Sequence, residues 1–216
     1  MTERKFFIET NIAPLNYPNI SNKTITIFGT GSVGSHLAYY LSKLSNFLIL
    51  IDPENFEPHN LATHFSILQA IEQAKPENQA KVSIIKYTID SFNPSAIVKG
   101  YQEELPQLSE DVRKTNIIVL AVDSIQARIK IARWIQENSE NLENLEYIID
   151  TGISEDGYNI TVFTKETVSD FIKMLEGRPE RQESQEKTCE QLRNIVVISA
   201  LASHLIQVLA KLYPQS

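Results

Sequence analysis

The chain has 216 residues, 42% of them hydrophobic and 22% charged, which suits one domain with a sizeable core and argues against global disorder. A single cysteine, Cys189, excludes a disulfide framework and a four-cysteine zinc site, so no zinc is expected. The net charge of −7 argues against a general nucleic-acid binder, and no apolar run approaches the roughly 20 residues that cross a bilayer; with no signal-peptide pattern at Met1 to Arg4 or Phe6 to Ile8, a cytoplasmic protein with neither nucleic acid nor membrane as partner is expected.

Thr24 to Phe28 is a short β-branched run ending at Gly29 and reads as a buried strand. Val33, Leu37, Tyr40, Leu41 and Leu44 then recur at helical spacing. Phe47 to Ile51 is a second buried strand, stopped by Asp52-Pro53. Together they form a βαβ unit, and unbroken apolar strands of this kind belong to parallel sheets covered on both faces. Asn55 to His64 reads as a loop, and Ser66 to Gln73 as a helix. Pro76 is expected to open another helix reaching about Phe92, since proline suits a first turn. Ala96 to Tyr101, Asn116 to Val122 and Glu146 to Asp150 read as strands, with a helix over Ile125 to Ile135. Tyr158 to Thr164 follows Asp156-Gly157 and is expected to run antiparallel. The polar stretch 165–188 reads as a mobile crossover loop with one helix near Val168 to Leu175. Gln191 to Leu212 is a long apolar final helix. The fold class expected is α/β, a Rossmann-like doubly wound and mainly parallel sheet with antiparallel strands toward the C-terminus, built as one domain over residues 1–216.

Three of the seven glycines, Gly29, Gly31 and Gly34, fall within six residues between the first strand and the first helix. Glycines there permit a tight turn and leave N–H groups open to phosphate oxygens at a helix N-terminus, with Ser32 inside the same loop. Asp52 follows at the end of the next strand, the position of a carboxylate that accepts ribose hydroxyls. This unit implies nucleotide binding. It does not by itself separate a dehydrogenase from an ATP-using enzyme.

Gly29 to Ser35, Asp52-Pro-Glu54, Asn60-Leu61-Ala62-Thr63-His64, Gln79-Ala80-Lys81-Val82, Asn93-Pro94, Ala121-Val122-Asp123-Ser124 with Arg128, and Thr188-Cys189 before the last helix together resemble the ThiF/MoeB-like family, the ubiquitin-activating-type adenylyltransferases. The resemblance runs in order along nearly the whole chain. It implies ATP-dependent activation of a carboxylate, giving an acyl-adenylate and pyrophosphate. The partner implied is a small ubiquitin-like or sulfur-carrier protein ending in glycine, or a small carboxylic acid. Gly29, Gly31, Ser32, Gly34, Asp52, Glu54, Asn60 and His64 would then line the ATP site. Lys81 would set a cation against the phosphates and Asp123 would hold Mg²⁺. Arg128 would be a second cation or a support for Asp123, and a homodimer is expected.

Cys189 falls in the T-x-x-Q box Thr188 to Gln191, so it is expected in the first turn of the last helix, where a thiolate is favoured. The family position makes it the candidate acyl acceptor. One departure concerns charge: where the family carries arginine, this chain has Thr63. Arg4, spaced like an N-terminal arginine that reaches the partner subunit's site in the family, and Lys75 are candidate substitutes. Two alternatives stay open. One is a nucleotide- or carrier-binding partner without turnover, supported by Thr63. The other is an NAD-dependent oxidoreductase, disfavoured because Asn60, Lys81, Asp123 and Arg128 have no part in hydride transfer.

Overall fold

The computed structural model describes residues 18–73, 79–154, 157–177 and 190–214. Six strands form one sheet in the order β3-β2-β1-β4-β5-β6: β1 (Thr24–Phe28), β2 (Phe47–Ile51), β3 (Ile97–Tyr101), β4 (Ile117–Leu120), β5 (Tyr147–Ser154) and β6 (Gly157–Phe163). The first five run parallel, and β6 pairs antiparallel with β5 from Ser154↔Gly157 to Ile148↔Phe163. The expected α/β Rossmann-like architecture is therefore present, including its antiparallel end.

Strand alternation divides the apolar residues between two layers. Ile25, Ile27, Leu48, Leu50, Val98 and Val119 face α1 (Ser32–Leu41), and with it the long helix before β3 and the final helix of the chain. Phe28, Ile49, Ile51, Ile118, Leu120 and Ile148 face the other side. In chain order the remaining helices are α2 (Leu68–Gln73), α3 (Lys81–Phe92), α4 (Glu110–Arg113), α5 (Ile125–Glu137), α6 (Val168–Glu176) and α7 (Glu190–Leu212). The α1, α3 and α7 helices cover the first face; α4, α5 and α6 cover the second. Burying both faces is what permits unbroken strands such as Ile117–Leu120, in which every residue is buried.

Two expectations need refinement, the start of the third helix and the loop after β2. The third helix starts at Lys81 rather than at Pro76: Ala80 is extended at ψ 132° and forms a β-bridge with Asn55, and Phe56 N–H donates to the Gln79 carbonyl at 2.6 Å. These contacts hold residues 79 and 80 out of helix, so the proline cue misplaces the boundary. Within the stretch 165–188, the helix expected near Val168 to Leu175 is present as Val168–Glu176. A 3₁₀ turn at Lys165–Thr167 leads into α6, which buries Val168, Phe171, Ile172 and Leu175; residues 178–188 lie outside the described part. The Asn55 to His64 loop also contains a 3₁₀ turn, Pro58–Ala62.

A clasp joins the two ends of the described chain at the amino edge of the sheet. Asn19 N–H donates to the Tyr213 carbonyl at 2.9 Å. Tyr213 Oη, Lys23 Nζ and Asn116 Nδ2 all donate to the Glu146 carboxylate, at 2.7, 2.6 and 3.2 Å. Burial alone would raise the Glu146 carboxyl, but these donors outweigh it and hold the group below its ordinary value. Lys23 also lies over the Tyr213 ring, 5.1 Å from its centre.

Candidate functional site

Sheet order places the site. After β3 the chain crosses β1 to form β4, so the connections leaving the carboxyl ends of β1 and β4 run to opposite faces of the sheet, α1 on one and α5 on the other, the switch point where open α/β sheets bind ligands. The loop after β1 carries the three glycines. Gly29 has φ +86°, and a Cβ there would stand 2.8 Å from the Ala121 carbonyl oxygen. At Gly34 a Cβ would stand 1.8 Å from the Gly29 carbonyl oxygen, so these two glycines are needed by the fold itself. Gly31 differs: nothing lies within 4 Å of its would-be Cβ, so its openness serves approach from outside. Gly31 is the N-cap of α1 without a capping side chain, Ser32 is the first helical residue, and the first turn holds no acidic residue. The helix thus presents its amino end uncompensated, as an anion site requires.

The loop after β2 supplies the next residues. Asp52 is buried, and its Oδ2 accepts Thr30 N–H at 2.6 Å and Thr30 Oγ1–H at 3.1 Å, while Oδ1 accepts Glu54 N–H at 2.9 Å. Asp52 therefore first anchors the glycine loop; Oδ2 already accepts two hydrogen bonds, and Oδ1, with one, keeps acceptor capacity. Lys81 opens α3; its backbone N–H donates to the Glu54 carbonyl at 3.0 Å and its ammonium pairs with the Glu54 carboxylate. The Lys81 side chain is 9% exposed and that of Glu54 is 67% exposed, so the pair bridges interior and solvent. Asn60 closes a capping box: its Oδ1 accepts Glu57 N–H at 2.8 Å. Thr63 ends that 3₁₀ turn. His64 is buried, with no hydrogen bond at either ring nitrogen among the described residues. Burial first, and then the Lys81 charge, lower its pKa to about 4. The Thr30 carbonyl favours the protonated ring, although no hydrogen bond of acceptable geometry joins the two. His36 is lowered by burial as well, against the Ser32 carbonyl that its Nδ1 meets at 2.8 Å.

The loop after β4 closes the other side. Asp123 is exposed, and the cap of α5 is Ser124, whose Oγ accepts Ala127 N–H at 3.2 Å. Asp123 is thus relieved of a capping duty. Arg128 points inward instead of toward solvent: its guanidinium pairs with the buried Asp150 of β5 and donates to the carbonyls of Val122 and, at 2.9 Å, Thr151. It supports Asp123 through the preceding residue's backbone. Its charge is already met by a carboxylate, which counts against the role of a second cation facing phosphate.

Sequence reasoning missed Thr30, Asp150 and Thr151. Thr30 sits inside the glycine motif, but its partnership with Asp52 depends on loop closure. Asp150 carried a usable signal, an acid ending the apolar run Tyr147 to Ile149, which a buried cation must match. Arg4, Lys75 and Cys189 lie outside the described residues. Among the described residues, no group of three or more His, Cys, Asp or Glu side chains is arranged around a metal position. A lone carboxylate such as Asp123 fits Mg²⁺ only when shared with substrate phosphates, the usual way this ion is held. A cleft of about 470 Å³ opens beside α5 at Ser124, Gln126 and Ala127, against Glu104 and Leu105. A second, of about 560 Å³, lies at the amino ends of β1–β3 around Thr24, Phe47 and Ile97, remote from the glycine loop. Cavity size alone does not mark the site.

Comparison with known proteins bears on the family and the fold. Residues 7–215 match the profile of the ThiF family. An ATP-dependent ubiquitin transferase-like protein, Cap2 of Vibrio cholerae serotype O1, is 23% identical over 122 residues, which is 54% of this chain and 20% of Cap2. Solved structures of Escherichia coli MccB superpose on 89% of the chain: the succinimide form with TM-score 0.59 at 18% identity over 57% of MccB, and the ATP form with TM-score 0.56 at 18% identity over 58% of MccB. At that identity the likeness concerns the fold, and the chain spans less than two thirds of either protein.

Proposed function

Because the chain belongs to the ThiF family, we propose that it is an ATP-dependent adenylyltransferase that activates a carboxylate, the C-terminal glycine of a small ubiquitin-like or sulfur-carrier protein. The observation that carries this reading is the convergence, at the switch point of the sheet, of an uncompensated helix N-terminus with Asp52, His64 and Lys81. A structure of MccB with ATP and one with AMPCPP and MccA, and the description of Cap2 as ubiquitin transferase-like, support the same class.

In this reading the α1 N–H groups and Lys81 hold the phosphates, and Asp52 accepts a ribose hydroxyl at the remaining lone pair of Oδ1. Asn60 donates its amide to a phosphate oxygen, and Asp123 is the residue that would hold Mg²⁺, whose charge would offset that of the phosphates. The substrate carboxylate attacks the α-phosphorus, a new acyl–O–P bond forms, and the bond to pyrophosphate breaks with the electron pair leaving on pyrophosphate. Lys81 meets the charge that gathers there, on release from Glu54. Cys189 then takes the acyl group as a thioester, displacing AMP, with Arg4 reaching the site from the second subunit of a cytoplasmic homodimer.

The test is ATP–pyrophosphate exchange with glycine-terminated carrier proteins and small acids. Exchange that requires the carrier supports the reading, and Cys189→Ser should keep it while abolishing the thioester. ATP binding with no exchange from any acid overturns the catalytic claim. That outcome favours the second reading, a binding partner without turnover, to which Thr63 and the Lys81–Glu54 pair both lend weight.

A further inference from the structure

Among the described residues, the buried side-chain polar atoms without a hydrogen bond are the two ring nitrogens of His64. A desolvated polar atom with no partner is costly, and native structures keep one for a reason. The ring is not loosely placed. It stands edge-on to Phe56 with centroids 5.2 Å apart. Its own backbone N–H donates to the Asn60 carbonyl at 2.8 Å, and the next residue's N–H to Ser35 Oγ at 2.9 Å. Packing and backbone therefore hold an imidazole whose nitrogens are left unsatisfied.

Its surroundings name the missing partner. From the glycine loop the Thr30 carbonyl favours a protonated ring; from α3 the Lys81 ammonium opposes it, as does His36 from α1. The carboxylates of Asp52 and Glu54 are engaged with Thr30 and Lys81 respectively. One positive charge, that of Lys81, already occupies this recess, and a second is not tolerated until negative charge arrives.

We propose that His64 couples nucleotide binding to proton uptake: its imidazole is neutral in the free protein and becomes an imidazolium, donating to the Thr30 carbonyl, when a polyphosphate occupies the glycine loop. The proposal rests on the nucleotide-binding reading above. Polyphosphate at the N-terminus of α1 brings several negative charges beside Thr30, which favour the cation directly. It also draws Lys81 toward itself, removing the repulsion that keeps the ring neutral. The proton comes from solvent, and the only bond formed is N–H. His64 then acts as a positioning residue: its cation fixes Thr30, and with it the loop that holds the phosphates. The second ring N–H becomes a donor for the ligand. A positive charge is thereby supplied only in the state that needs it, at the residue directly following the uncharged Thr63.

The experiment is a histidine NMR titration of the full chain with and without saturating ATP, the His64 signal being assigned by its loss in His64→Gln. Without ATP the ring should titrate near pH 4; with ATP its midpoint should rise by about three pH units, to near neutrality, as a ring charged in the bound state requires. A midpoint that stays below about pH 6 in protein shown to be ATP-saturated overturns the proposal. Failure of the wild-type chain to bind ATP at all instead removes the nucleotide-binding reading, and this inference with it. Should His64→Gln not fold, His64→Asn serves the assignment. Linkage supplies a second readout: for a rise from about 4 to about 7, ATP affinity at pH 5 should gain about 50-fold in wild type over its value at pH 7, relative to the variant. Parallel pH profiles of the two proteins count against it.

Discussion

Arg128→Met tests how the loop after β4 is held. Arg128 and Asp150 are 8% and 2% exposed, so deleting the cation strands a carboxylate that water does not reach. Breaking a buried pair from one side costs about 3–5 kcal/mol. The carbonyls of Val122 and Thr151 lose a charged donor as well; because all three share one guanidinium, their losses overlap rather than add. A deficit of about 3–5 kcal/mol is large beside the roughly 5–15 kcal/mol that stabilises an ordinary domain. Urea unfolding at pH 7.5, followed by circular dichroism, should show it as a lower midpoint with an unchanged slope. Asp150→Asn combined with Arg128→Met should recover much of the loss, since neither charge is then stranded. A loss below about 1 kcal/mol for Arg128→Met, or a double variant as poor as the sum of the singles, would refute a buried, mutually dependent pair.

Three other predictions follow from the same geometry. Gly34→Ala should lower stability by about 1–3 kcal/mol, because its Cβ would stand 1.8 Å from the Gly29 carbonyl oxygen; Gly31→Ala, with nothing within 4 Å, should leave unfolding within about 0.5 kcal/mol of wild type and weaken ATP binding, as calorimetry would record. The folded His64 ring has its pKa depressed to about 4 from 6.5, so folding favours the neutral form: stability is full above the unfolded value and falls as acid charges the unfolded chain. Wild type should lose about 2 kcal/mol from this residue between neutrality and pH 5, and denaturant titrations of His64→Gln should lack that component. Lys81→Met should cut pyrophosphate exchange by about 10²-fold while costing only about 1 kcal/mol of stability, since its partner Glu54 is largely exposed; equal exchange in the two proteins would remove Lys81 from the phosphate site.

Elements set by continuous apolar burial were legible before any coordinates. The runs Thr24–Phe28, Phe47–Ile51 and Ile117–Leu120 are strands because both of their faces are covered, and that requirement is written in the residues themselves. The helix Glu110–Arg113 escaped notice because it buries Val112 alone, too little for a periodic signal. Pro76 misled because the start of α3 is governed by a bridge between Asn55 and Ala80, a pairing that no local propensity encodes. The site divides in the same way. The glycine spacing and Asp52 pointed to the loop after β1, and the structure sets His64 close to Thr30 and Lys81; the part these residues play toward a nucleotide is a proposal. That Asp52 spends its first hydrogen bonds on Thr30, and that Arg128 turns inward to Asp150, depends on strand register and loop closure. Such contacts join residues 22 positions apart and become visible only once the sheet is assembled.

The clasp at Glu146 bears on the order in which this chain is completed. Leu201, Leu205 and Leu209 of α7 pack in the same cluster as Ile25 and Leu37 from the first βα unit, and Tyr213 closes over Lys23. Synthesis proceeds from the amino end, so the glycine loop and the sheet around it exist for a time with one layer unroofed. During that interval the apolar strand faces awaiting α7 are open to chaperones and to neighbouring nascent chains. Sealing of this layer therefore waits for the α7 segment, whose Leu201, Leu205 and Leu209 supply its roof.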